Sequence, residues 1–245
     1  MMRRVNRELF PAVLGLFLFF GATAEAQDKA ALDRGNEIAS EAFKLSREGD
    51  QEGAEAKYRE ALKLAPELHG ARFALARLYA GLSRFEEARV EFAKLVQVNP
   101  QDAASRRGEV TALLLLGRWS EARAKLEEGL VALPRDGQQA HLLARVLASA
   151  PDESVRDGAL ALDLAVQVYQ VQKIPLVAET VAMAFAANGE FDKAARMQSK
   201  IVRDAEATGN ERGLEVMRAR QAAYDRQERW TASAIEIVQS TELPE

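Results

Sequence analysis

Three prolines, Pro66, Pro100 and Pro134, lie 34 residues apart, and this spacing restricts the fold more than any other feature. An alanine precedes each proline by 12 residues, at Ala54, Ala88 and Ala122. A large residue follows each alanine four positions later, namely Tyr58, Phe92 and Leu126. Residues four apart share one face of a helix, so each stretch is predicted to be a helix that ends before its proline. A repeated unit of this length indicates stacked, equivalent helical units.

The three stretches, residues 49–66, 83–100 and 117–134, each read as a turn followed by a helix. A second periodic apolar stretch lies upstream of each turn, so each unit is predicted to contain two antiparallel helices. These residues resemble the tetratricopeptide repeat family, in its bacterial exported form. The first unit matches its pattern with Ala42, Gly49-Asp50, Ala54, Ala61 and Pro66, and the second matches it with Ala76, Ala88 and Pro100. The third departs from it, with Val110 and Gly129 where alanine is usual.

The resemblance implies an all-α fold, an α-solenoid. It would be a right-handed superhelix of about five helix-turn-helix units with a C-terminal capping helix. Residues 27–206 are assigned to the solenoid and residues 207–245 to the capping helix and tail. Arginines are expected to give that helix a polar outer face, and Leu214, Met217, Gln221 and Tyr224 to lie on its other face. From Trp230 onward, the tail either packs back or frays.

The 34-residue period breaks after residue 149, because the helix start expected after Ala122 is delayed by five residues, to Ala161. The inserted stretch, residues 150–158, contains a proline and capping residues and is predicted to be a loop. We interpret Arg156 and Asp157 as a helix cap with a local salt bridge.

Residues 1–26 are predicted to be a secretory signal peptide that directs the chain to the periplasm. Three arginines precede the apolar run Phe10–Phe20, and an A-x-A pattern then makes Gln27 the expected first residue of the mature chain. An uncleaved anchor is the alternative, but a run of 11 residues is short of the roughly 20 needed to span a membrane. A lipid anchor at a cysteine is not expected, because the chain contains no cysteine.

Composition argues against several classes of function. The leader contains three arginines and two glutamates, so its removal changes the formal net charge from −4 to −5, which does not favour nucleic acid as a partner. The two histidines, His69 and His141, are 72 residues apart with no second ligand near either, so no metal site is predicted. Nucleophile-elbow, phosphate-loop and dinucleotide-binding motifs are also missing. We therefore predict a protein that is not an enzyme and needs no cofactor.

The resemblance implies that the first helix of each unit lines a concave groove. Its register places the following candidate partner-binding residues there: Phe43, Arg47, Phe73, Arg77, Arg107, Thr111, His141, Arg145, Glu179 and Met183. Arginines with aromatic residues suit an acidic protein or peptide segment. We therefore expect a periplasmic scaffold or adaptor in envelope assembly, secretion or polysaccharide export. The alternatives are a self-associating structural protein and, less favoured, an enzyme; the oligomeric state stays open.

Overall fold

The computed structural model describes residues 10–211 and 213–239, with side chains from Gln27 onward. These residues form twelve α-helices and no strand, which confirms the predicted all-α fold class. They divide into two compact units, residues up to Leu82 (unit 1) and residues from Ser83 (unit 2). Part of the predicted leader, residues 1–9, lies outside the described residues, as does the end of the tail after Gln239. No helix of the described chain is long and apolar enough to cross a membrane.

Unit 1 consists of α1 (Phe10–Glu48), α2 (Gln51–Leu64) and α3 (His69–Gly81). Gly49 adopts a left-handed conformation (φ 91°) in the turn between α1 and α2, and the Asp50 carboxylate caps α2 by accepting a hydrogen bond from the Gly53 N–H at 2.9 Å. The small residues Ala42, Ala54 and Ala76 are fully buried. They let the backbones of neighbouring helices approach closely, as the repeat pattern predicts.

Unit 2 contains the remaining helices, each packed against the next in chain order up to α11. They are α4 (Phe85–Val98), α5 (Ala103–Leu115), α6 (Trp119–Ala132), α7 (Gly137–Ser149), α8 (Gly158–Val171), α9 (Pro175–Ala187), α10 (Phe191–Ala207), α11 (Leu214–Asp225) and α12 (Ala234–Gln239). The two helices that precede Pro100 and Pro134 each end two residues before the proline, as expected of a residue that disfavours helix at the position before it.

Packing between successive helices of unit 2 depends on large residues set against glycine. The Phe92 ring covers Gly108 of α5 so closely that a β-carbon there would lie 2.6 Å from the ring. This contact confirms that the large residue of the repeat fills space against the next helix pair. Gly129, where alanine is usual, makes room for the buried side chain of Gln139, whose amide also donates to Asp136 at 3.0 Å.

Residues 150–157 of the inserted stretch form a loop with one 3₁₀ turn (Glu153–Val155), as predicted, and Gly158 is the first residue of α8. Asp157 caps α8 by accepting a hydrogen bond from the Leu160 N–H at 3.0 Å. The expected local salt bridge of Arg156 is not formed. Its guanidinium instead donates to the Ala150 carbonyl at 2.6 Å and to the Thr231 hydroxyl at 2.7 Å, so Arg156 ties this loop to the chain that follows α11.

Candidate protein-binding faces

Unit 1 carries an open pocket of about 370 Å³ that contains two of the predicted binding residues, Phe43 of α1 and Arg77 of α3. Its wall also includes Ser46, Gln51, Ala74 and Leu82. The Phe43 and Leu82 side chains are 57% and 41% exposed, although both are large and apolar. Exposed apolar side chains around a pocket of this size are typical of a site that is covered by a ligand.

Cationic groups border this pocket. Arg77 lines it and is exposed, and Arg47 lies beside Phe43 on α1 and is also exposed. Neither guanidinium forms a hydrogen bond or ion pair with another residue of the described chain. The structure therefore brings Phe43, Arg47 and Arg77 to one surface of unit 1, with apolar and cationic groups together. Phe73, the fourth predicted residue of this unit, is half-buried on α3.

In unit 2, the predicted residues become less accessible along the chain. Arg107 and Thr111 of α5 are half-buried, whereas His141 and Arg145 of α7 are fully buried. Glu179 and Met183 of α9 are 5% and 1% exposed. The last four residues face the protein interior rather than solvent. Their predicted role in partner binding remains a prediction, and it requires whatever covers them to move.

His141, Arg145 and Glu179 belong to a buried polar cluster centred on Thr180. The Thr180 hydroxyl lies 2.7 Å from His141 Nε2 and accepts a hydrogen bond from Arg145 Nη1 at 3.1 Å. Glu179 forms an ion pair with Arg220 of α11, and both side chains are almost completely buried. A second nitrogen of Arg220 donates to Glu236 of α12 at 3.0 Å. The cluster thus joins four helices, α7, α9, α11 and α12.

Burial shifts the ionisation of this cluster. Desolvation, with the nearby charge of Arg145 adding to it, lowers the pKa of His141 to about 3, so the imidazole is neutral at physiological pH. Desolvation and the charge of Arg220 also lower the pKa of Arg145, to about 10. Burial opposes the charge of Arg220 too, but Glu179 and Glu236 outweigh it and raise the pKa of Arg220. Arg145 has no such directly bonded carboxylate.

The cover over this cluster is the C-terminal segment, which we define as residues 226–239. Its short helix α12 contacts α5 and α7, and Ile237 at its centre is fully buried. The Trp230 indole donates to Glu236 at 3.0 Å, and its ring lies 5.7 Å from the Arg220 guanidinium. Of the two open alternatives for the tail, the chain from Trp230 to Gln239 packs back.

No sequence pattern predicted a site that includes Arg220, Trp230 or Glu236. Arg220 was expected on the polar outer face of the capping helix, and that expectation is wrong because this side chain is 3% exposed. The signal was present in the spacing: position 220 follows Met217 by three residues and precedes Tyr224 by four, which places it on their face of the helix. Arg220 was assigned to the outer face because arginine is charged, although its spacing places it on the inner face.

A metal site is not formed by this cluster or elsewhere in the described residues, where no three His, Asp or Glu side chains are grouped to hold an ion. The polar groups of the cluster are mostly donors, including two guanidinium groups. Such a set is suited to binding carboxylates and carbonyl oxygens rather than cations.

Comparison with known proteins supports the repeat assignment. Residues 45–107 match the tetratricopeptide repeat family. Among solved structures, a tetratricopeptide repeat protein from Parabacteroides merdae is similar with a TM-score of 0.62 and 14% identity, over 86% of this chain and 80% of that one. MamA from Desulfovibrio magneticus is similar with a TM-score of 0.60 and 14% identity, over 71% of this chain and 97% of that one.

A third similar structure is YrrB, described as a tetratricopeptide repeat protein with an unusual peptide-binding site. Its TM-score is 0.57 with 19% identity, over 72% of this chain and 91% of that one. At these identities the likeness extends to the fold alone. No curated protein sequence matches the chain.

Proposed function

We propose, from the premise that this chain is a tetratricopeptide repeat protein, that it is a non-enzymatic scaffold which binds a segment of a partner protein. The observation that carries the proposal is the open pocket of unit 1, where Phe43 is 57% exposed and Arg77 has no partner among the described residues. The fold supports binding of proteins or peptides in general. One protein of similar structure, YrrB, has an unusual peptide-binding site.

The chemistry of the pocket favours a partner segment with a carboxylate next to an apolar side chain. The Arg77 guanidinium supplies charge-assisted hydrogen bonds to a carboxylate, and Phe43 supplies an apolar surface that gains free energy when water leaves it. Arg47, on the other side of Phe43, adds a second positive charge. Acidic partners are therefore favoured over basic ones, both in affinity and in the rate of encounter.

The test is capture of the partner in cells by a photo-crosslinking residue at Phe43, followed by affinity measurements with the purified partner. We expect Arg77→Glu to weaken binding by at least tenfold, since it replaces attraction by repulsion, and Phe43→Ala to weaken binding by a similar factor. Lys63→Glu is the matched control, because Lys63 is an exposed cation of unit 1 outside the pocket wall. Unchanged affinity in both pocket variants would refute the proposal.

We further propose that the scaffold works in the periplasm, in envelope assembly, secretion or polysaccharide export. The support is the predicted leader, with its three arginines, 11-residue apolar run and A-x-A pattern. N-terminal sequencing of the protein from a periplasmic extract should give Gln27 as the first residue. Recovery in the cytoplasm with Met1 intact would contradict this location.

Self-association is a second candidate function. It is favoured by two apolar side chains at the C-terminal end, Val216 of α11 and Ile235 of α12, which are 38% and 58% exposed. Light scattering on the purified protein over a hundredfold range of concentration distinguishes the two functions. If the protein is a monomer at every concentration, the scaffold function is favoured. If it forms a dimer and Ile235→Asp dissociates that dimer, self-association is supported.

A further inference from the structure

The C-terminal segment lies on the face of unit 2 where the repeat register predicts partner binding. Two of its residues, Ala232 and Ile237, are fully buried. The Ala232 N–H donates to the Ser149 carbonyl at the end of α7, at 2.9 Å. The helix α12 that follows contacts α5 and α7, which carry four of the predicted binding residues. The segment therefore occupies this face in the way that a bound peptide would.

Helix α12 carries the same groups that are proposed for the partner of the unit 1 pocket, a carboxylate next to an apolar side chain. Glu236 supplies a carboxylate that accepts hydrogen bonds from Arg220 Nη2 and Trp230 Nε1, both at 3.0 Å. Ile237, the next residue, supplies a fully buried aliphatic side chain. Short amphipathic helices that place such groups into a groove are a common mode of peptide recognition.

The contact leaves buried donors without partners, so it does not use all the binding capacity of this face. Arg145 Nε and Nη2 have no hydrogen-bond partner in the described chain, and neither has the Tyr224 hydroxyl. Nε and Nη2 form the edge of a guanidinium that binds a carboxylate through two parallel hydrogen bonds. A ligand with a second carboxylate would satisfy this edge, which α12 leaves unsatisfied.

The connection of α12 to the rest of the chain allows exchange. Residues 226–233, between α11 and α12, are not helical, and among the described residues Ala232 provides the backbone hydrogen bond from this stretch to an earlier repeat helix. Such a short tether holds α12 near its site at an effective concentration in the millimolar range, so an external ligand must compete with it.

We propose that α12 is an internal ligand of unit 2, and that it is displaced by an acidic, aliphatic helical segment of a partner protein. This inference rests on the proposed function, because it assumes that the repeat faces bind protein segments. It adds a second binding face, formed by α5, α7, α9 and α11, and it makes binding there conditional on release of α12.

The test uses the purified full-length chain and a fluorescein-labelled synthetic peptide with the sequence of residues 229–239. Ile237→Asp should release α12, since it places a carboxylate in a fully buried apolar position; Ala232→Arg is a second way to release it. Release is followed by the emission of Trp230 in a Trp119→Phe background. Gln239→Asp is the matched control, because Gln239 lies on the same helix but is exposed.

We expect the peptide to bind the two release variants at least about ten times more tightly than it binds the wild type or the Gln239→Asp control. A peptide with glutamine at the position of Glu236 should bind the release variants at least ten times more weakly than the original peptide.

The proposal fails if neither release variant alters Trp230 emission, or if a released chain binds the peptide no better than the wild type does. The outcome is independent of the pocket test, because no external partner is used. A negative result in the peptide-binding test does not affect the Phe43 and Arg77 test, and a negative result in the Phe43 and Arg77 test does not affect the peptide-binding test.

Discussion

Arg77 in unit 1 and Arg145 in unit 2 occupy the same position of the repeat, two periods of 34 residues apart, yet their environments are opposite. Arg77 is exposed beside an open pocket and has no partner among the described residues. Arg145 is completely buried, and its guanidinium donates a hydrogen bond to the Thr180 hydroxyl. The repeat therefore determines which face a residue lies on, whereas the segments packed on that face determine whether the residue is available to a ligand.

The same contrast appears in ionisation. An exposed guanidinium is hydrated, and a carboxylate of a partner can replace the water molecules bound to it. Burial of Arg145 removes that hydration and lowers the pKa to about 10, and the neighbouring His141 is held neutral. At this position of the repeat, unit 1 thus presents a charge to solvent, whereas unit 2 holds a charge inside a network closed by the C-terminal segment.

The largest expected effect is on the buried ion pair of unit 2. Glu179→Gln removes the carboxylate that Arg220 contacts and leaves two buried arginines with only Glu236 nearby. The free energy of unfolding should fall by about 3 kcal/mol, the cost of an uncompensated buried charge. Urea denaturation followed by tryptophan emission measures this effect, because both tryptophans, Trp119 and Trp230, lie in unit 2.

The matched residue of unit 1 is Glu37, which lies 2.7 Å from Arg34 in a pair whose two side chains are 65% and 59% exposed. Glu37→Gln should have no measurable effect on stability in circular dichroism, because exposed pairs contribute little. Equal effects of the two substitutions would show that the Glu179 pair is solvated and that the cover over unit 2 is loose.

The next effect is a dependence of stability on pH that comes from His141. Its pKa is about 3 in the folded chain and rises to its ordinary value near 6.5 on unfolding. As the pH falls below 6.5, the unfolded chain binds a proton that the folded chain does not, so stability is lost. This residue alone should account for a loss of about 2 kcal/mol between pH 7 and pH 5.

Urea denaturation of the wild type and of His141→Gln at pH 7, 6 and 5 measures this contribution as the difference in slope. His69→Gln is the control from unit 1, since His69 is exposed at the start of α3. We expect it to leave the slope unchanged. If His141→Gln has the wild-type slope, the imidazole is hydrated and the cluster is open to solvent.

The repeat helices followed from sequence because their signals are local. The spacing of the prolines and alanines predicts helices that end before Pro100 and Pro134, as α4 and α6 do. A small and a large residue on one helix face explain why Ala88 and Phe92 are buried. The loop at residues 150–157 was also predictable, since it interrupts that spacing. These features depend on residues a few positions apart.

The candidate site was only partly predictable, because its accessibility depends on distant parts of the chain. Two of the predicted residues, Phe43 and Arg77, line one pocket. The ion pair of Glu179 with Arg220 joins residues 41 positions apart, and no repeat signal relates them. Gly129 of α6 stands where the repeat pattern usually has alanine. The side chain of Gln139 from the next helix, α7, fills the space that this glycine leaves.

A smaller effect, of opposite sign, is expected for Arg145. Arg145→Met keeps the apolar stem and removes a buried charge whose Nε and Nη2 have no partner in the described chain. The free energy of unfolding should rise by about 1 kcal/mol, because an apolar side chain of similar size avoids the cost of burying those donors. Arg77→Met should have no measurable effect on stability in circular dichroism. A loss of stability with Arg145→Met would mean that water or a bound anion satisfies this guanidinium.

The smallest expected effect is on the turns between helices. It tests whether the difference in accessibility between the two units comes from backbone conformation or from side-chain contacts. Gly49 of unit 1 and Ser83 of unit 2 share one repeat position, and both adopt the left-handed conformation, with φ values of 91° and 59°. A β-carbon makes this conformation unfavourable, so Ser83→Gly should stabilise the chain by about 0.5 to 1 kcal/mol, and Gly49→Ser should destabilise it by a similar amount. Thermal unfolding by circular dichroism measures both. Because the turns of the two units have the same conformation, neither change should alter the emission of Trp230; an altered emission would mean that the cover over unit 2 depends on turn geometry as well as on the contacts of α12.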